Sequence, residues 1–446
     1  MDEGAGAAPR SYERSRALYE AGRRYTTEGV QHPLRYQAPH PIYMDHGKGG
    51  WIYDVDGNPY LDFTLGAGPL ILGHGHPAVL AAVERQMAKA QLYSGSAAIE
   101  LELARRIHER VPSAEVVRFV VSGTDATTTA VRLARAFTRR ELIVKHVGAF
   151  HGAQDYFLPG VAAAGGVGGA YLGVPKPASD RTLVVPFNDT EALDRVFAAH
   201  GSEIAAVIAE PALRGVVAPQ PGYLEALRDR CLSFGTLLVY DEVLTGFRLG
   251  PAGAEGYFGV KPDLSAYGKI IGGGFPIGAV AGREDVMSLL SPKRPPAEQV
   301  FSTSTWLGYP MAMAAGCAML DALDEPGVYD RLFALGECFR RQFDAMFARL
   351  GLPGQALGLG PTNDIMLTDR AVVDLDSAQP RYSREGVLAL KRRIFDRGLF
   401  MIGPSYLPSF GKFLCIAHTE AEIEQAAALF EQSIRDVDLR ACLGPP

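Results

Sequence analysis

With 446 residues, 47% of them apolar, the chain can bury cores of domain size, and its length predicts two or three domains. The formal charge is −6 and no block of like charges occurs, which argues against a surface for nucleic acid or an anionic membrane. Five cysteines are scattered singly, without a C-x-x-C pair, which argues against a zinc site and a disulfide framework. A small-molecule ligand and a reducing, cytoplasmic location fit this composition best.

The start of the chain predicts no targeting or metal-binding function. The stretch MDEGAGAAPRSYER lacks an apolar core, so we expect a short disordered start and neither a secretory signal nor a transmembrane span. In LGHGHPAV, Pro77 and the apolar run after it indicate a turn that enters a helix. His74 and His76 could be metal ligands, but no further Cys or His cluster completes a site, and we predict no metal.

From residue 116 onward, apolar runs of strand length alternate with helical periodicity, the pattern of a mostly parallel α/β sheet. Each run ends in polar or small residues: EVVRFVVSG at Ser122 and Gly123, ELIVKHVGAFHG near Phe150 and His151, EIAAVIAEP at Glu210, GTLLVYDEV at Asp241 and Glu242, and DLSAYGK at Lys269. Ligands of open α/β sheets bind at the carboxyl ends of the strands. The five run ends therefore predict one site assembled from distant parts of the sequence.

The predicted domains are an N-terminal segment, 1–75, that contributes to the small domain and the substrate site, a large cofactor-binding domain, 76–325, and a small C-terminal domain, 326–446. Residues 159–180 are rich in Gly, Ala and Pro, and so long a segment without periodicity indicates either a mobile gate or a linker. Near the C-terminus, Thr419 and Glu422 have the spacing of a helix capping box.

The stretch SAYGKIIGGGFPIGAV places Lys269 directly before a run of three glycines. The order excludes a P-loop, whose glycines precede the lysine, and the glycine spacing does not match the dinucleotide fingerprint. Two interpretations remain: a surface lysine next to a turn, or a Schiff-base lysine held where backbones pack closely.

An aromatic cofactor with a phosphate, an aldehyde and a ring nitrogen would use all five run ends. SGTDA offers amides and hydroxyls at a helix start, although an ordinary N-cap has the same pattern. Phe150 would stack on the ring with Val243 opposite, and Asp241 would hold a proton on the ring nitrogen unless it is only a solvated acid. Lys269 would bind the aldehyde and later serve as the general base.

These residues stand in motifs that resemble the class III, fold type I pyridoxal-phosphate aminotransferases. The motifs are VVSGTDATTTAVRLARAFT, FHGAQD, AAVIAEP, LLVYDEVLTGFR, PDLSAYGKIIGGGFPIGAVAGR and STSTWLGYPMAMAAG, and the closest likeness is to the glutamate-1-semialdehyde 2,1-aminomutases. The resemblance implies a large domain with a mostly parallel sheet, a smaller α+β C-terminal domain, and a homodimer with shared active sites. It also implies pyridoxal 5'-phosphate as cofactor and pyridoxamine 5'-phosphate as its second form.

Residue by residue, the resemblance implies Lys269 as the Schiff-base lysine and Asp241 as the partner of the ring nitrogen. The implied cofactor contacts are Ser122, Gly123, Thr124, Phe150, His151, Glu210 and Val243, with Thr305 reaching the phosphate in the neighbouring subunit. Arg35 is the candidate for binding a substrate carboxylate; alternatively it is a surface arginine.

The substrate surroundings depart from the aminomutase pattern. Gln31-His32 replaces Asn-Ser, Ala67 replaces a tryptophan, and Tyr309 replaces an asparagine. The segment ALR before Gly215 is shorter than the corresponding family segment. That family segment carries an amide side chain that contacts the cofactor, and Arg214 would have to replace it. The stretch PSYLPSFGKFLC lacks a glutamate. We therefore expect an aminotransferase with an aldehyde or keto acceptor. An intramolecular aminomutase, an amino acid racemase or epimerase, and a non-catalytic scaffold are the alternatives.

Overall fold

The structure, a computed structural model, describes residues 10–161, 172–401, 410–411 and 413–444. Its strands form three sheets. The strands are β1 (Met44–Lys48), β2 (Trp51–Asp54), β3 (Pro59–Asp62), β4 (Val116–Val120), β5 (Leu142–His146), β6 (Thr182–Val185), β7 (Ile204–Ala209), β8 (Leu237–Asp241), β9 (Leu264–Gly268), β10 (Gly278–Gly282), β11 (Gln355–Leu359), β12 (Thr362–Met366) and β13 (Leu399–Phe400).

The α-helices connect and cover these strands. They are α1 (Glu13–Gly22), α2 (Pro77–Met87), α3 (Ala98–Arg110), α4 (Gly123–Thr138), α5 (Lys176–Ser179), α6 (Thr190–His200), α7 (Tyr223–Phe234), α8 (Gly253–Phe258), α9 (Glu284–Met287), α10 (Pro310–Leu323), α11 (Val328–Leu350), α12 (Arg384–Asp396) and α13 (Glu420–Asp436). The turn predicted before Pro77 is confirmed, since α2 begins at that residue.

The central sheet has seven strands in the order β4-β10-β9-β8-β7-β5-β6. Strand β10 pairs antiparallel with both neighbours, and its Gly278 stands opposite Val120 of β4 and Gly268 of β9. The other strand pairs of this sheet are parallel. The carboxyl ends of all strands except β10 therefore lie along the same edge, as the prediction of a mostly parallel sheet requires.

Both faces of this sheet are covered by helices, which explains the continuous apolar runs in its sequence. All six residues of β7 are buried. Ala206 and Ile208 pack in the core that contains α4, whereas Val207 and Ala209 pack in the core that contains α6 and α7. This alternation follows from the two-residue period of a strand.

A second core joins the two ends of the chain. Leu61 and Phe63 from the N-terminal part pack with α11, α12 and α13 and with β11 and β12. The capping box predicted at the start of α13 is confirmed: the Thr419 Oγ1 accepts from the Glu422 amide, and the Glu422 carboxylate accepts from the Thr419 amide. The division at 1–75, 76–325 and 326–446 stays a prediction.

Some predictions concern segments outside the described residues. Of the disordered start expected in MDEGAGAAPRSYER, residues 1–9 lie outside the described residues, and the expectation is wrong for Glu13 and Arg14, which belong to α1. The gate expected at 159–180 includes 162–171, which also lie outside the described residues. The described part of that gate ends in the short helix α5. Of the loop PSYLPSFGKFLC that lacks the aminomutase glutamate, residues 404–409 and Lys412 also lie outside the described residues.

Candidate active site

The polar residues at the predicted run ends meet at the carboxyl edge of the central sheet. Ser122 follows β4, Glu210 follows β7, Asp241 ends β8, and Lys269 follows β9. One boundary was wrong: β5 ends at His146, not near Phe150 and His151. The chain turns there, because the Ala149 amide donates to the His146 carbonyl and Gly148 has a φ of +81°. Phe150 and His151 therefore lie on the following loop.

The start of α4 forms an anion-binding geometry next to the lysine strand. Ser122 is the N-cap, and its Oγ accepts from the Asp125 amide at 3.1 Å. The first-turn amides of a helix lack intrahelical partners and favour a bound anion. An ideal Cβ on Gly268 would lie 3.4 Å from Val243 Cγ1 and 3.5 Å from the Gly123 Cα, so β9, Val243 and the helix start are in contact. A phosphate held by α4 would thus lie close to Lys269.

Asp241 is buried and held by two donors. The His151 ring bonds to it, with 2.7 Å between Nδ1 and Oδ2, and the Val243 amide donates to its Oδ1 at 3.1 Å. Thr127 fixes the histidine in turn, since its Oγ1 donates to the His151 carbonyl at 2.6 Å. Both partners of the His151–Asp241 pair are nearly inaccessible to solvent. The carboxylate is therefore oriented before any ligand arrives.

Lys269 has an amine with unusual basicity and an unusual backbone. Burial lowers its pKa to about 8; the Asp241 carboxylate opposes this shift, and the Arg248 guanidinium adds to it. Lys269 has a φ of +48° and begins a short 3-10 helix, Lys269–Gly272, which is followed by Gly273 with a left-handed φ. An ideal Cβ on Gly273 would lie 3.1 Å from Ala315, so this glycine lets the chain turn against α10.

Glu210 joins two loops that border the site. Its Oε1 accepts from the Phe150 amide at 3.4 Å, and its Oε2 accepts from the Arg214 amide at 2.6 Å. Phe150 leaves 47% of its surface exposed, which is the exposure a stacking ring needs. The side chain of Val243, predicted on the opposite face of the ring, is partly buried.

The two adjacent acids at the end of β8 have separate partners. Glu242 caps α8, because its carboxylate accepts from the amides of Ala254 and Glu255 and from the Thr245 hydroxyl. Burial raises the pKa of Glu242 to about 7. Asp241 is thus the acid left for a ligand.

Two predicted site residues lie on the surface of the single chain. Thr305 is exposed beside Trp306, and Arg35 is exposed in the 3-10 helix Pro33–Arg35. Their proposed contacts with cofactor and substrate stay predictions.

His74 is paired rather than clustered, with 2.8 Å between its Nε2 and Asp62 Oδ2. Within the described residues, no group of three or more His, Cys, Asp and Glu side chains could hold a metal ion.

Sequence reasoning missed two buried cations close to this site. Arg248 is fully buried, and its guanidinium donates to the carbonyls of Leu244 and Gly68. Lys145 is fully buried in β5. The sequence did carry a signal for Lys145, because a lysine within an apolar strand is buried and needs specific hydrogen-bond partners. Arg248 stood in the motif DEVLTGFR without being assigned a role.

The donor set fits pyridoxal phosphate. The amides at the start of α4 suit its phosphate, the buried Asp241 suits a protonated ring nitrogen, and the amine of Lys269 suits its aldehyde. The contact among Gly123, Val243 and Gly268 brings these three elements together.

Comparison with known proteins agrees with this fit. The family model "Aminotransferase class-III" matches residues 34–390, so the chain belongs to the class III aminotransferases, and its cofactor is pyridoxal phosphate. The fold is that of the fold type I enzymes.

The chain is 40% identical over 441 residues to the glutamate-1-semialdehyde 2,1-aminomutase of Desulforudis audaxviator, which covers 96% of this chain and 98% of the relative. Among solved structures, an omega-transaminase from Sphaerobacter thermophilus has a TM-score of 0.89 at 33% identity, covering 95% of this chain and 98% of the other. A transaminase with PLP bound has a TM-score of 0.87 at 31% identity, covering 96% and 99%. Among the described helices, none is long and apolar enough to span a bilayer.

Proposed function

We propose that this chain is an aminotransferase that moves an amino group from an amine donor to a separate aldehyde or keto acceptor. The observation that carries the proposal is the position of Lys269, an amine of lowered pKa between Asp241 and the start of α4. The similarity to an omega-transaminase supports a donor and an acceptor that are different molecules.

Each residue has a defined task in this proposal. Bound pyridoxal phosphate supplies an aldehyde that captures amines and a ring that withdraws electrons from the reacting carbon. Lys269 holds the cofactor and then moves the proton at the donor's reacting carbon, for which a pKa of about 8 is well suited. Asp241, oriented by His151, keeps the ring nitrogen protonated, and Phe150 and Val243 flank the ring.

The phosphate contacts complete the assignment. Ser122, Gly123 and Thr124 hold the phosphate at the start of α4, and Glu210 joins the loop of Phe150 to the loop of Arg214. Arg35 is the proposed partner of a substrate carboxylate.

The loop at 65–68 supports a substrate different from that of the aminomutases. Leu65, Gly66, Ala67 and Gly68 all have positive φ angles, and the Arg248 guanidinium holds the Gly68 carbonyl. Two non-glycine residues in this conformation indicate backbone strain, which proteins retain mainly at functional sites. Ala67 is exposed where the aminomutases carry a tryptophan, so more room is left for a bulky substrate.

The second candidate function is intramolecular amino transfer. The observation that favours it is the 40% identity to a glutamate-1-semialdehyde 2,1-aminomutase over nearly the full length of both chains. It differs from the first in releasing no keto product from the donor.

We also propose a cytoplasmic homodimer. Three large apolar side chains near Thr305 are exposed in the single chain: Leu101 at 72%, Phe301 at 72% and Trp306 at 49%. An ideal Cβ on Gly308 would lie 2.6 Å from the Glu100 side chain, which places the start of α3 against the segment that carries Thr305. An exposed apolar cluster of this kind favours burial against a second copy. All five cysteines are free, which fits a reducing compartment.

The test is a donor screen with the holoprotein. Single α-amino acids, β-amino acids and primary amines are added, and the keto or aldehyde product is quantified in the absence of any acceptor. An aminotransferase releases about one equivalent of product per active site from its donor, and Lys269→Ala releases none. If glutamate 1-semialdehyde rearranges without such release, the aminomutase function replaces the proposed one.

A further inference from the structure

Lys145 is a fully buried lysine whose amine points into a single loop. Its Nζ donates to three backbone carbonyls: Ala149 at 3.0 Å, Phe157 at 2.7 Å and Pro159 at 2.9 Å. All three acceptors belong to residues 149–159, the loop that follows β5. The lysine thus joins both ends of that loop to the sheet beneath it.

The three carbonyls account for the burial of this charge. An ammonium group has three N–H donors, and here each has one acceptor. Within the described residues, no carboxylate lies within ion-pair distance of Lys145. Burial lowers the pKa of Lys145 to about 7, and the Glu210 carboxylate opposes this shift. A buried cation is tolerated only when its hydrogen bonds are complete, so this geometry depends on the loop staying closed.

The loop carries residues of the proposed active site. Phe150 and His151 lie within it, and the adjacent Gly152, with a φ of +104°, packs against Thr124 at the start of α4. A further bond closes the base of the loop, since the Gly148 amide donates to the Gly160 carbonyl at 2.7 Å.

The loop is not held evenly by its other contacts. His151 has side-chain partners of its own in Asp241 and Thr127. Within the described part of the chain, the one hydrogen bond of Phe150 is the long one from its amide to Glu210, at 3.4 Å. The position of Phe150 therefore depends more strongly on the anchoring of the loop.

We propose that Lys145 is a positioning residue that holds the loop 149–159 closed, so that Phe150 stands at the cofactor site. The inference rests on the proposed role of Phe150 but goes beyond it, since Lys145 itself touches neither cofactor nor substrate. Lys145 stabilises the closed conformation of this loop rather than the fold as a whole.

The test compares Lys145→Met with Lys261→Met, which removes an exposed lysine from the same domain. Amide hydrogen exchange of the apoprotein is measured by mass spectrometry, together with the dissociation constant of pyridoxal phosphate. In Lys145→Met we expect exchange across 148–160 to rise about tenfold, with α4 and β8 unchanged, and the dissociation constant to rise by a similar factor. Lys261→Met should match the wild type in both measurements.

Two results would overturn the proposal: unchanged exchange across 148–160, or an equal increase in every part of the chain. If Lys145→Met does not fold, Lys145→Gln, which retains two N–H donors, is tested for the same local increase. Because exchange is measured without cofactor, this outcome is independent of the reaction. A wild-type protein that fails to bind pyridoxal phosphate would contradict the proposed function and leave the loop measurement valid.

Discussion

The lowered pKa of Lys269 predicts how capture of pyridoxal phosphate by the apoprotein depends on pH. Only the neutral amine attacks an aldehyde. At pH 7 an ordinary lysine with a pKa near 10.5 is about 0.03% neutral, whereas a pKa of about 8 gives ~10%. The structure therefore predicts that roughly 300-fold more of Lys269 is reactive at neutral pH than of a solvated lysine.

The assay is stopped-flow absorbance of the apoprotein mixed with pyridoxal phosphate between pH 6 and pH 10. The rate constant should rise about tenfold per pH unit below pH 8 and then level off, and Lys269→Ala should give no signal. Because the Asp241 carboxylate favours the ammonium form, Asp241→Asn should move the plateau to lower pH. A rate that keeps rising to pH 10 would refute the role assigned to burial.

Three further predictions concern His151, Gly152 and Asp263. His151→Phe removes the ring bonded to Asp241 and should lower kcat about 10- to 100-fold, measured under saturating cofactor; an unchanged kcat counts against the orienting role. Gly152→Ala would place a Cβ 2.5 Å from Thr124 Oγ1 at a φ of +104°, so thermal unfolding should show a loss of roughly 1–3 kcal/mol, and an unchanged Tm speaks against the strain. Burial alone would raise the pKa of Asp263, but hydrogen bonds from two arginines lower it. The Asp263 carboxylate therefore contributes its full share to the free energy of unfolding above pH ~4, and this contribution is lost as the pH falls through the lowered pKa. Asp263→Asn should therefore destabilise by roughly 3 kcal/mol at pH 7 and by less at pH 3 in urea unfolding, whereas an equal gap at both values would contradict this origin.

The sequence predicted the sheet and its functional edge because both follow from local patterns. The strands buried on both faces are continuous apolar runs, and such runs in β7, β8 and β9 end at Glu210, Asp241 and Lys269. The carboxyl ends of parallel strands meet at one edge whatever the order of the strands. The cofactor residues could thus be grouped without knowledge of the sheet order.

What the sequence could not predict depends on contacts between distant segments. The run that contains β5 continues in apolar residues beyond His146, so Gly148 is the one local signal of the turn that places Phe150 on a loop. The Lys145 anchor forms only when residues 149–159 fold back over the strand. The contact between Arg248 and the Gly68 carbonyl spans 180 residues, and no local pattern indicates it.

The position of Thr305 illustrates a different limit. The family motif indicates a contact with the neighbouring subunit, whereas the single chain leaves this residue exposed. Its role is therefore tested only in the assembled protein.

The central claim is that Lys269 is the residue that binds the cofactor. The most direct measurement is borohydride reduction of the holoprotein followed by peptide mass spectrometry. The account predicts one pyridoxyl-phosphate group per chain, on the peptide that contains Lys269. A label on Lys145 or any other lysine, or no label at all, would contradict it.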